Sequence, residues 1–170
     1  MQRVLVIGIS GAGKSTFARK LAARTGLPLT HLDGEFWKPG WKVTGHAEWR
    51  ARIAKLAERE AWILDGNYGA SLDLRLPRAD TVMWFDYPRR ICVWRALRRV
   101  ATTYGRVRLD LAPGCPERFD CEFLRFIWNF NTNSRPRIVA MLAAHGGHLS
   151  PIVFRRDLDV SGFLAGLGAN

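Results

Sequence analysis

The amino-acid sequence predicts an α/β fold built on a parallel sheet, and two observations support this prediction. Five short apolar runs are separated by segments long enough to form helices, and the first run leads directly into a glycine-rich loop. This alternation is typical of parallel sheets, because a helix returns the chain from the end of one strand to the start of the next. The predicted strands cover residues 4–7, 28–32, 62–64, 81–85 and 148–154.

Apolar residues at helical spacing predict the intervening helices. Phe17 and Leu21 lie four residues apart, and the same spacing separates Trp49 from Ile53. Such recurrence places apolar side chains on one face of a helix. A later stretch carries phenylalanines in the same pattern, which we interpret as core packing rather than a stacking platform for bases. The predicted helices cover residues 16–24, 46–60, 88–100 and 119–130.

The glycine-rich loop after the first strand reads GISGAGKST and fits the pattern G-x-x-x-x-G-K-[ST] of phosphate-binding loops. In such a loop, backbone N–H groups surround phosphate oxygens, and the N-terminus of the next helix favours negative charge. Lys14 would contact the outer phosphates, and the Ser15 hydroxyl would coordinate Mg²⁺. The alternative is a glycine-rich turn with an incidental lysine. We predict ATP and Mg²⁺ as cofactors, with the nucleotide bound by Gly8, Ser10, Gly11, Ala12, Gly13, Lys14, Ser15 and Thr16.

Three aspartates follow predicted strands, at the edge where ligands gather in an open parallel sheet. Phosphoryl transfer needs one carboxylate to hold Mg²⁺ and another to orient or deprotonate the attacking hydroxyl. We predict Asp65 as the metal residue, and Asp33 as a catalytic residue that contacts the substrate. Asp86 is at least as well explained as the N-cap of the helix that follows it.

Arginines are concentrated on one arc of the third predicted helix. Arg95, Arg98 and Arg99 share this arc, where like charges repel unless water screens them or phosphates bind between them. We predict Arg95 and Arg99 as catalytic residues, the alternative being a solvated basic face. Arg135 and Arg137, on a later segment, are further candidates for substrate contacts.

Two segments rich in glycine, proline and polar residues, 33–45 and 102–116, interrupt the pattern of strands and helices. A chain of 170 residues with 48% hydrophobic content is about the size of one domain. We therefore predict one domain over residues 1–170, with an acceptor-side segment at about 33–60 and a lid at about 101–118.

Two tryptophans lie close together in the stretch GEFWKPGW. Trp37 and Trp41 carry large apolar rings that are unfavourable on an exposed loop. Either they fill the core beneath the helix that starts at His46, or they fold over a substrate and exclude water during transfer. Both are candidate substrate residues.

The net charge of +11 indicates anionic partners. Of the 26 basic residues, 21 are arginine, whose planar guanidinium suits bidentate contacts to phosphate. The partner is a nucleotide-type substrate or nucleic acid, although GC-rich coding also favours arginine. Cys92, Cys115 and Cys121 lack C-x-x-C spacing and indicate reduced thiols. No apolar run approaches the roughly 20 residues that span a bilayer, so we expect a cytoplasmic protein without membrane partners.

Five stretches in order resemble the P-loop kinase-like proteins related to adenylate kinase, and within them the FlaR-type group, which is named for DNA topology modulation. They are GISGAGKST, LPLTHLDGEFWKPGW, AWILDGNY, LDLRLPRADTVMWFDYPR and APGCPERFDCEFLRFIWNF. The resemblance implies a three-layer α/β P-loop fold with a parallel five-stranded sheet in the order 2-3-1-4-5. It also implies nucleotide and Mg²⁺ contacts for Lys14 and Ser15, a Walker B role for Asp65, and lid roles for Arg95 and Arg99.

The sequence departs from the nucleoside monophosphate kinases after its third predicted strand. Those enzymes carry D-G-x-P-R, whereas residues 65–68 read D-G-N-Y, so Asn67 and Tyr68 become candidate substrate residues. Residues 31–33, H-L-D, are more similar to shikimate and gluconate kinases, in which an aspartate at this point contacts the acceptor hydroxyl.

These features together favour an ATP-dependent kinase that moves the γ-phosphoryl group to an anionic or hydroxyl-bearing small molecule or to a nucleotide. The alternative is a nucleic-acid-binding ATPase that acts on DNA topology. Gly66 favours the kinase, since many ATPases that work on DNA carry a catalytic glutamate there. A GTPase is disfavoured because no N-K-x-D guanine motif is present. We expect nucleic acid to bind only non-specifically, and the chain to be a monomer or a homodimer.

Overall fold

The computed structural model describes residues 1–167, which form a five-stranded, all-parallel sheet flanked by helices. The strands are β1 (Arg3–Gly8), β2 (Leu29–His31), β3 (Trp37–Lys38), β4 (Lys42–Val43), β5 (Trp62–Asp65), β6 (Thr81–Phe85) and β7 (Ile152–Phe154). The order in the sheet is β2-β5-β1-β6-β7, which confirms the predicted order 2-3-1-4-5. The additional strands β3 and β4 form a separate antiparallel hairpin.

The α-helices occupy the segments between and after these strands. None of them, within residues 1–167, is both long enough and apolar enough to cross a bilayer. The helices are α1 (Lys14–Thr25), α2 (Leu32–Phe36), α3 (His46–Ala57), α4 (Leu72–Arg75), α5 (Arg89–Thr103), α6 (Cys121–Trp128), α7 (Phe130–Asn133), α8 (Arg135–His145) and α9 (Asp157–Gly166).

The central strand β1 lies between β5 and β6, and its apolar residues form the middle of the core. Val4 to Ile7 are fully buried, as are Leu64 on β5 and Val82 on β6. A strand covered on both faces requires a continuous apolar run rather than an alternating one, and this is why the run was recognisable in the sequence. The carboxyl end of β1 therefore delivers the glycine-rich loop to the middle of the sheet edge.

Gly8, the last residue of β1, allows the backbone to approach β6 closely. A Cβ atom at this position would lie 2.2 Å from the carbonyl oxygen of Phe85, and the residue has a φ of 130°. An L-residue with a side chain would both clash and adopt a strained conformation there. The first glycine of the phosphate-loop pattern thus has a packing role.

The β3–β4 hairpin packs against the segment 104–118, which follows α5. The amide of Gly40 donates to the carbonyl of Gly114 at 2.9 Å, and the indole Nε1 of Trp41 donates to the carbonyl of Pro116 at 3.1 Å. These contacts surround a second small core cluster, which brings together the two irregular segments of the sequence. The cluster contains Leu111, Ala112 and Cys115, with Trp37 and Trp41 packed against it.

Three local predictions need correction. The helix predicted over 119–130 begins only after Asp120, whose carboxylate accepts from the amide of Phe123 at 3.0 Å, and it is interrupted at Asn129. The strand predicted over 148–154 is limited to β7. Asp86 is not a helix cap: Pro88 occupies that position, and the Asp86 carboxylate binds Arg135.

Candidate active site

A cavity of about 1220 Å³ opens where β1, β2 and β5 end. Such a position, beyond the carboxyl ends of parallel strands, is where open α/β sheets bind ligands. The volume exceeds that of a typical small-molecule pocket, so it can hold a nucleotide beside a second molecule. Its walls include six residues of the glycine-rich loop, namely Ser10, Gly11, Gly13, Lys14, Ser15 and Thr16, and most of the other predicted site residues, namely Asp33, Trp37, Trp41, Asp65, Asn67, Tyr68, Arg95, Arg99 and Arg137.

The glycine-rich loop has the shape of an anion-binding cradle. Gly11 and Gly13 both have positive φ, and a Cβ at Gly11 would lie 2.4 Å from the carbonyl oxygen of Cys92. No side chain caps α1 and no acidic residue lies in its first turn, so its N-terminal amides remain available to an anion. Ala12 is buried and, like Gly8, does not line the cavity. The loop therefore fits the phosphates of a nucleotide.

Lys14 starts α1, and its ammonium group lies between the loop and two carboxylates. Its Nζ donates to the carbonyl oxygen of Ile9 at 3.0 Å. Burial lowers the pKa of Lys14, while the negative charges of Asp65 and Asp33 raise it. The lysine thus couples the phosphate cradle to both acidic residues predicted at the strand ends.

Asp65 ends β5 and is almost completely buried, with 4% of its side chain exposed. Its Oδ2 lies 2.8 Å from Nδ1 of His31, the last residue of the neighbouring strand β2. Its Oδ1 has no hydrogen-bond partner within the described part of the chain, which is unfavourable for a buried carboxylate. A hydrated Mg²⁺ ion would satisfy this oxygen, so the pair Asp65 and Ser15 fits a magnesium site.

Asp33 lies in the first turn of α2 and accepts a hydrogen bond from the hydroxyl of Tyr68 at 2.6 Å. Burial raises the pKa of the Asp33 carboxyl, and the bond from Tyr68 lowers it. The charge of Asp65 raises this pKa further, whereas Lys14 and Arg108 lower it. A carboxylate with an elevated pKa inside a cavity is suited to accept a proton.

Asn67 contacts the glycine-rich loop with both ends of its side-chain amide. Its Oδ1 accepts from the amide of Gly8 at 2.7 Å, and its Nδ2 donates to the Gly8 carbonyl at 2.6 Å. These bonds use the polar groups that were predicted to contact a substrate. Asn67 therefore lies in the cavity wall as a support for the loop, and nothing in its D-G-N-Y sequence context indicated this partner 59 residues away.

The arginines of α5 reach the cavity already paired with carboxylates. Arg95 binds Asp157 at 2.7 Å, and Arg99 binds Glu117 at 3.2 Å. Glu117 also lies 2.9 Å from Nε of Arg108, close enough for an ion pair although the angle does not suit a hydrogen bond. Burial lowers the pKa of Arg99, and the charge of Arg108 lowers it further. The charge of Glu117 and its hydrogen bond raise this pKa.

Three arginines and one glutamate need comment, because the sequence analysis predicted two of the arginines as substrate residues and missed the third arginine and the glutamate. Arg135 does not line the cavity, because both oxygens of Asp86 bind its guanidinium at 3.1 Å. Arg137 does line it. Sequence reasoning missed Arg108 and Glu117, since nothing local distinguishes one arginine among 21 or indicates that a glutamate bridges two of them.

The two tryptophans pack against the second core cluster and not beneath the helix that starts at His46, as one of the two alternatives predicted. The alternative that they fold over a substrate stays a prediction. Trp37 and Trp41 pack edge to face with centroids 5.3 Å apart and cover the cluster around Cys115. Both are only half-buried and line the cavity as well. Their rings therefore join the hairpin to the 104–118 segment and also form part of the cavity wall.

Comparison with known proteins supports the fold at low sequence identity. No family model and no curated protein matches the chain. Among solved structures, shikimate kinase from Bacteroides thetaiotaomicron is similar with a TM-score of 0.53 and 16% identity, over 98% of this chain and 95% of that one. The chain has the fold of a P-loop kinase.

Two further structures agree with this fold. A gluconokinase from Sinorhizobium meliloti 1021 has a TM-score of 0.52 at 18% identity, over 98% of this chain and 91% of that one. Shikimate kinase from Acinetobacter baumannii in complex with shikimate has a TM-score of 0.57 at 19% identity, over 99% of this chain and 94% of that one. These matches agree with the resemblance to P-loop kinases and do not confirm the FlaR-type assignment.

Proposed function

We propose that the protein is an ATP-dependent kinase that transfers the γ-phosphoryl group to a hydroxyl group of a small-molecule or nucleotide acceptor. The observation that carries this proposal is that the Asp33 carboxylate lines the same cavity as the glycine-rich loop. Burial raises its pKa, which makes the ionised carboxylate a stronger base toward the hydroxyl proton. The acceptor oxygen then forms a bond to the γ-phosphorus as the bond to the β-phosphate oxygen breaks, and ADP leaves.

The nucleotide end of the cavity would hold ATP and Mg²⁺. P-loop kinases generally use both, and the bound metal ion neutralises charge that develops on the phosphates. In this chain, Ser15 and Asp65 would hold the ion, with His31 keeping the Asp65 carboxylate in place. Lys14 would contact the outer phosphates, and the amides at the start of α1 would bind the phosphates closer to the nucleoside.

The arginines of α5 would stabilise the transferring group. Arg99 is the best placed, because its charge is close enough to lower the pKa of Lys14 at the phosphate end of the cavity. The charge of Arg108 lowers the pKa of Asp33, so Arg108 lies toward the acceptor end. Arg95 and Arg137 complete the basic wall. Positive groups that are already oriented cost little reorganisation when charge moves during transfer, which is why they accelerate it.

The acceptor would bind next to Asp33, under the hairpin and the 104–118 segment. These two parts are joined through Trp41 and Cys115, so together they can act as the lid that excludes water from the reaction. The similar structures include kinases of shikimate and gluconate, and both of those acceptors carry hydroxyl groups. A hydroxyl-bearing small molecule is therefore the preferred acceptor class.

The charge distribution does not favour the alternative of a DNA-dependent ATPase. Many arginines pair with carboxylates of the same chain, which reduces their availability to nucleic acid. Any DNA binding is expected to weaken steeply with salt, because it would depend on counterion release. A DNA complex that survives physiological salt and stimulates ATP turnover would support this alternative instead.

The test is a screen for phosphoryl transfer with a matched pair of variants. The protein is incubated with MgATP and a panel of polyols, sugar acids, nucleosides and nucleoside monophosphates. ADP release is followed by a coupled assay, and products are followed by ³¹P NMR. Asp33→Asn should bind ATP normally but lose transfer, since an amide cannot accept the proton. Asp80→Asn is the control, because this exposed carboxylate binds the amides of Gln2 and Arg3 at the start of β1 and does not line the cavity.

Wild-type transfer rates in Asp33→Asn would refute the assignment of Asp33 as the base. Loss of ATP affinity in the same variant would place Asp33 in the metal site, and the acceptor would then have to be sought nearer Tyr68.

A further inference from the structure

Arg75, the last residue of α4, is a fully buried arginine whose guanidinium binds only backbone carbonyls in the described structure. Its Nη1 donates to Gly66 at 3.0 Å, and its Nε donates to Ser71 at 3.3 Å. Its Nη2 donates to Tyr68 at 3.1 Å and also to Asn67. One side chain thus donates hydrogen bonds to four backbone carbonyl oxygens of the loop formed by residues 66–71.

The burial of this charge is unfavourable by itself. Burial lowers the pKa of Arg75 to about 9, while the charges of Tyr68 and Asp73 act in the opposite direction. The guanidinium therefore stays protonated near neutral pH. An apolar side chain of similar volume would avoid this desolvation cost, but it would leave the four carbonyls that Arg75 binds without a donor. The explanation must lie in the loop that it holds.

The loop of residues 66–71 has a backbone that would not hold its shape unaided. Gly66 and Tyr68 have φ values of 143° and 38°, and the second is unusual for a residue with a side chain. Four carbonyls of this loop accept hydrogen bonds from Arg75, and the carbonyl of Ala70 accepts one from Arg50. Donors that satisfy these carbonyls stabilise the strained turn.

This loop connects the two ends of the candidate active site. The side chain of Asn67 binds the amide and carbonyl of Gly8, at the base of the phosphate loop. The hydroxyl of Tyr68 donates to Asp33 at 2.6 Å. A shift of the loop by about 1 Å would lengthen the bond to the proposed base and loosen the phosphate loop.

We propose that Arg75 is a positioning residue for the phosphoryl transfer: it holds the 66–71 loop so that Tyr68 stays bonded to Asp33 and Asn67 stays bonded to Gly8. Its effect on rate rests on the proposed kinase function, whereas its effect on the geometry of Asp33 does not. Arg75 itself lies outside the cavity wall and contacts no reacting atom.

The protonation of Asp33 reports the position of Tyr68. The charged and titratable groups that act on Asp33 are Tyr68 and Asp65 from the β5 side, Lys14 from α1 and Arg108 from the 104–118 segment. Tyr68 is the group among them that donates a hydrogen bond to the carboxylate. If the loop moves, this bond lengthens and the midpoint of the Asp33 titration rises.

The experiment measures that midpoint in the ligand-free protein by ¹³C NMR of labelled aspartate carboxyl groups, with Asp33→Asn for assignment. Arg75→Met should raise the midpoint by about one pH unit and Arg75→Lys by less, since a single ammonium cannot reach four carbonyls. Arg78→Met, at an exposed arginine three residues later, should leave it unchanged. Combining Arg75→Met with Tyr68→Phe should shift the midpoint no further than Tyr68→Phe alone.

Kinetics provide the second measurement. In Arg75→Lys, kcat should fall roughly tenfold, because a small misplacement of reacting groups mainly affects the chemical step, while KM for ATP should rise by a smaller factor as the phosphate loop loosens. Arg75→Met is expected to lower the melting temperature, so Arg75→Lys decides the question if the methionine variant does not fold.

A folded Arg75→Lys protein with the wild-type midpoint and kcat would overturn the proposal. It would also be overturned if the midpoint shift in the double variant equalled the sum of the shifts in Arg75→Met and Tyr68→Phe. A wild-type protein that phosphorylates none of the acceptors would count against the kinase function only, since the midpoint is measured without nucleotide.

Discussion

Replacing Tyr68 with phenylalanine removes one hydroxyl group and leaves the aromatic ring in place. The ring packs against Phe36 and Trp49, with centroids 4.8 Å away in each case, and a phenylalanine keeps both contacts. The hydroxyl donates to Asp33 at 2.6 Å, a length typical of a strong bond to a carboxylate. The substitution therefore affects the ionised form of Asp33 more than the packing around it.

The sign of the effect follows from the groups around Asp33. Burial raises its pKa, and the bond from Tyr68 lowers it by stabilising the charged form. Without that bond, the pKa rises further. A hydrogen bond to a charged group contributes about 1.5–3 kcal/mol, and one pKa unit corresponds to about 1.4 kcal/mol. The midpoint of Asp33 should thus move up by about one to two pH units.

The assay is the pH profile of kcat/KM for the acceptor, measured on wild type and Tyr68→Phe. A base must be ionised to accept a proton, so the acid limb of the profile should move to higher pH by the same amount, with rates above the new midpoint less affected. Tyr104→Phe, at an exposed tyrosine that does not line the cavity, is the control and should reproduce the wild-type profile.

Two results would refute this reasoning. An acid limb that does not move in Tyr68→Phe would show that Asp33 is not the titrating base. A uniform loss of rate at every pH would show instead that the tyrosine hydroxyl acts directly on the substrate.

The remaining predictions concern the phosphate loop and the arginines above it. Lys14→Ala should weaken ATP binding and lower kcat about 100-fold or more in a coupled assay, whereas Lys20→Ala on the exposed side of α1 should not. Glu117→Gln should lower the free energy of unfolding in urea by about 2 kcal/mol, since Arg99 and Arg108 lose their shared counter-charge. Gly8→Ala should cost about 3 kcal/mol or more in the same measurement, because its Cβ would meet the Phe85 backbone, while Gly147→Ala in open space should cost far less. Wild-type values in these variants would contradict the corresponding contacts.

Prediction from sequence worked best where the signal is local. The strand Thr81–Phe85 was predicted with the bounds that the structure shows, because a fully buried strand must be a short continuous apolar run. The phosphate loop was recognisable because its glycines and lysine act within nine consecutive residues. In contrast, Asp86 was interpreted as a helix cap, since its partner Arg135 is 49 residues further along the chain.

The sequence by itself determined the parallel α/β fold, the phosphate loop, and the acidic residues at the strand ends, because each depends on periodicity or on neighbours in the chain. Only the tertiary structure decided which side chains face one another. It paired Asn67 with Gly8, used Glu117 to bridge two arginines, and buried Arg75 beneath the 66–71 loop. The physical reason is that a buried polar group must find a partner, and the chain supplies that partner from any element that packs nearby, whatever its distance in sequence.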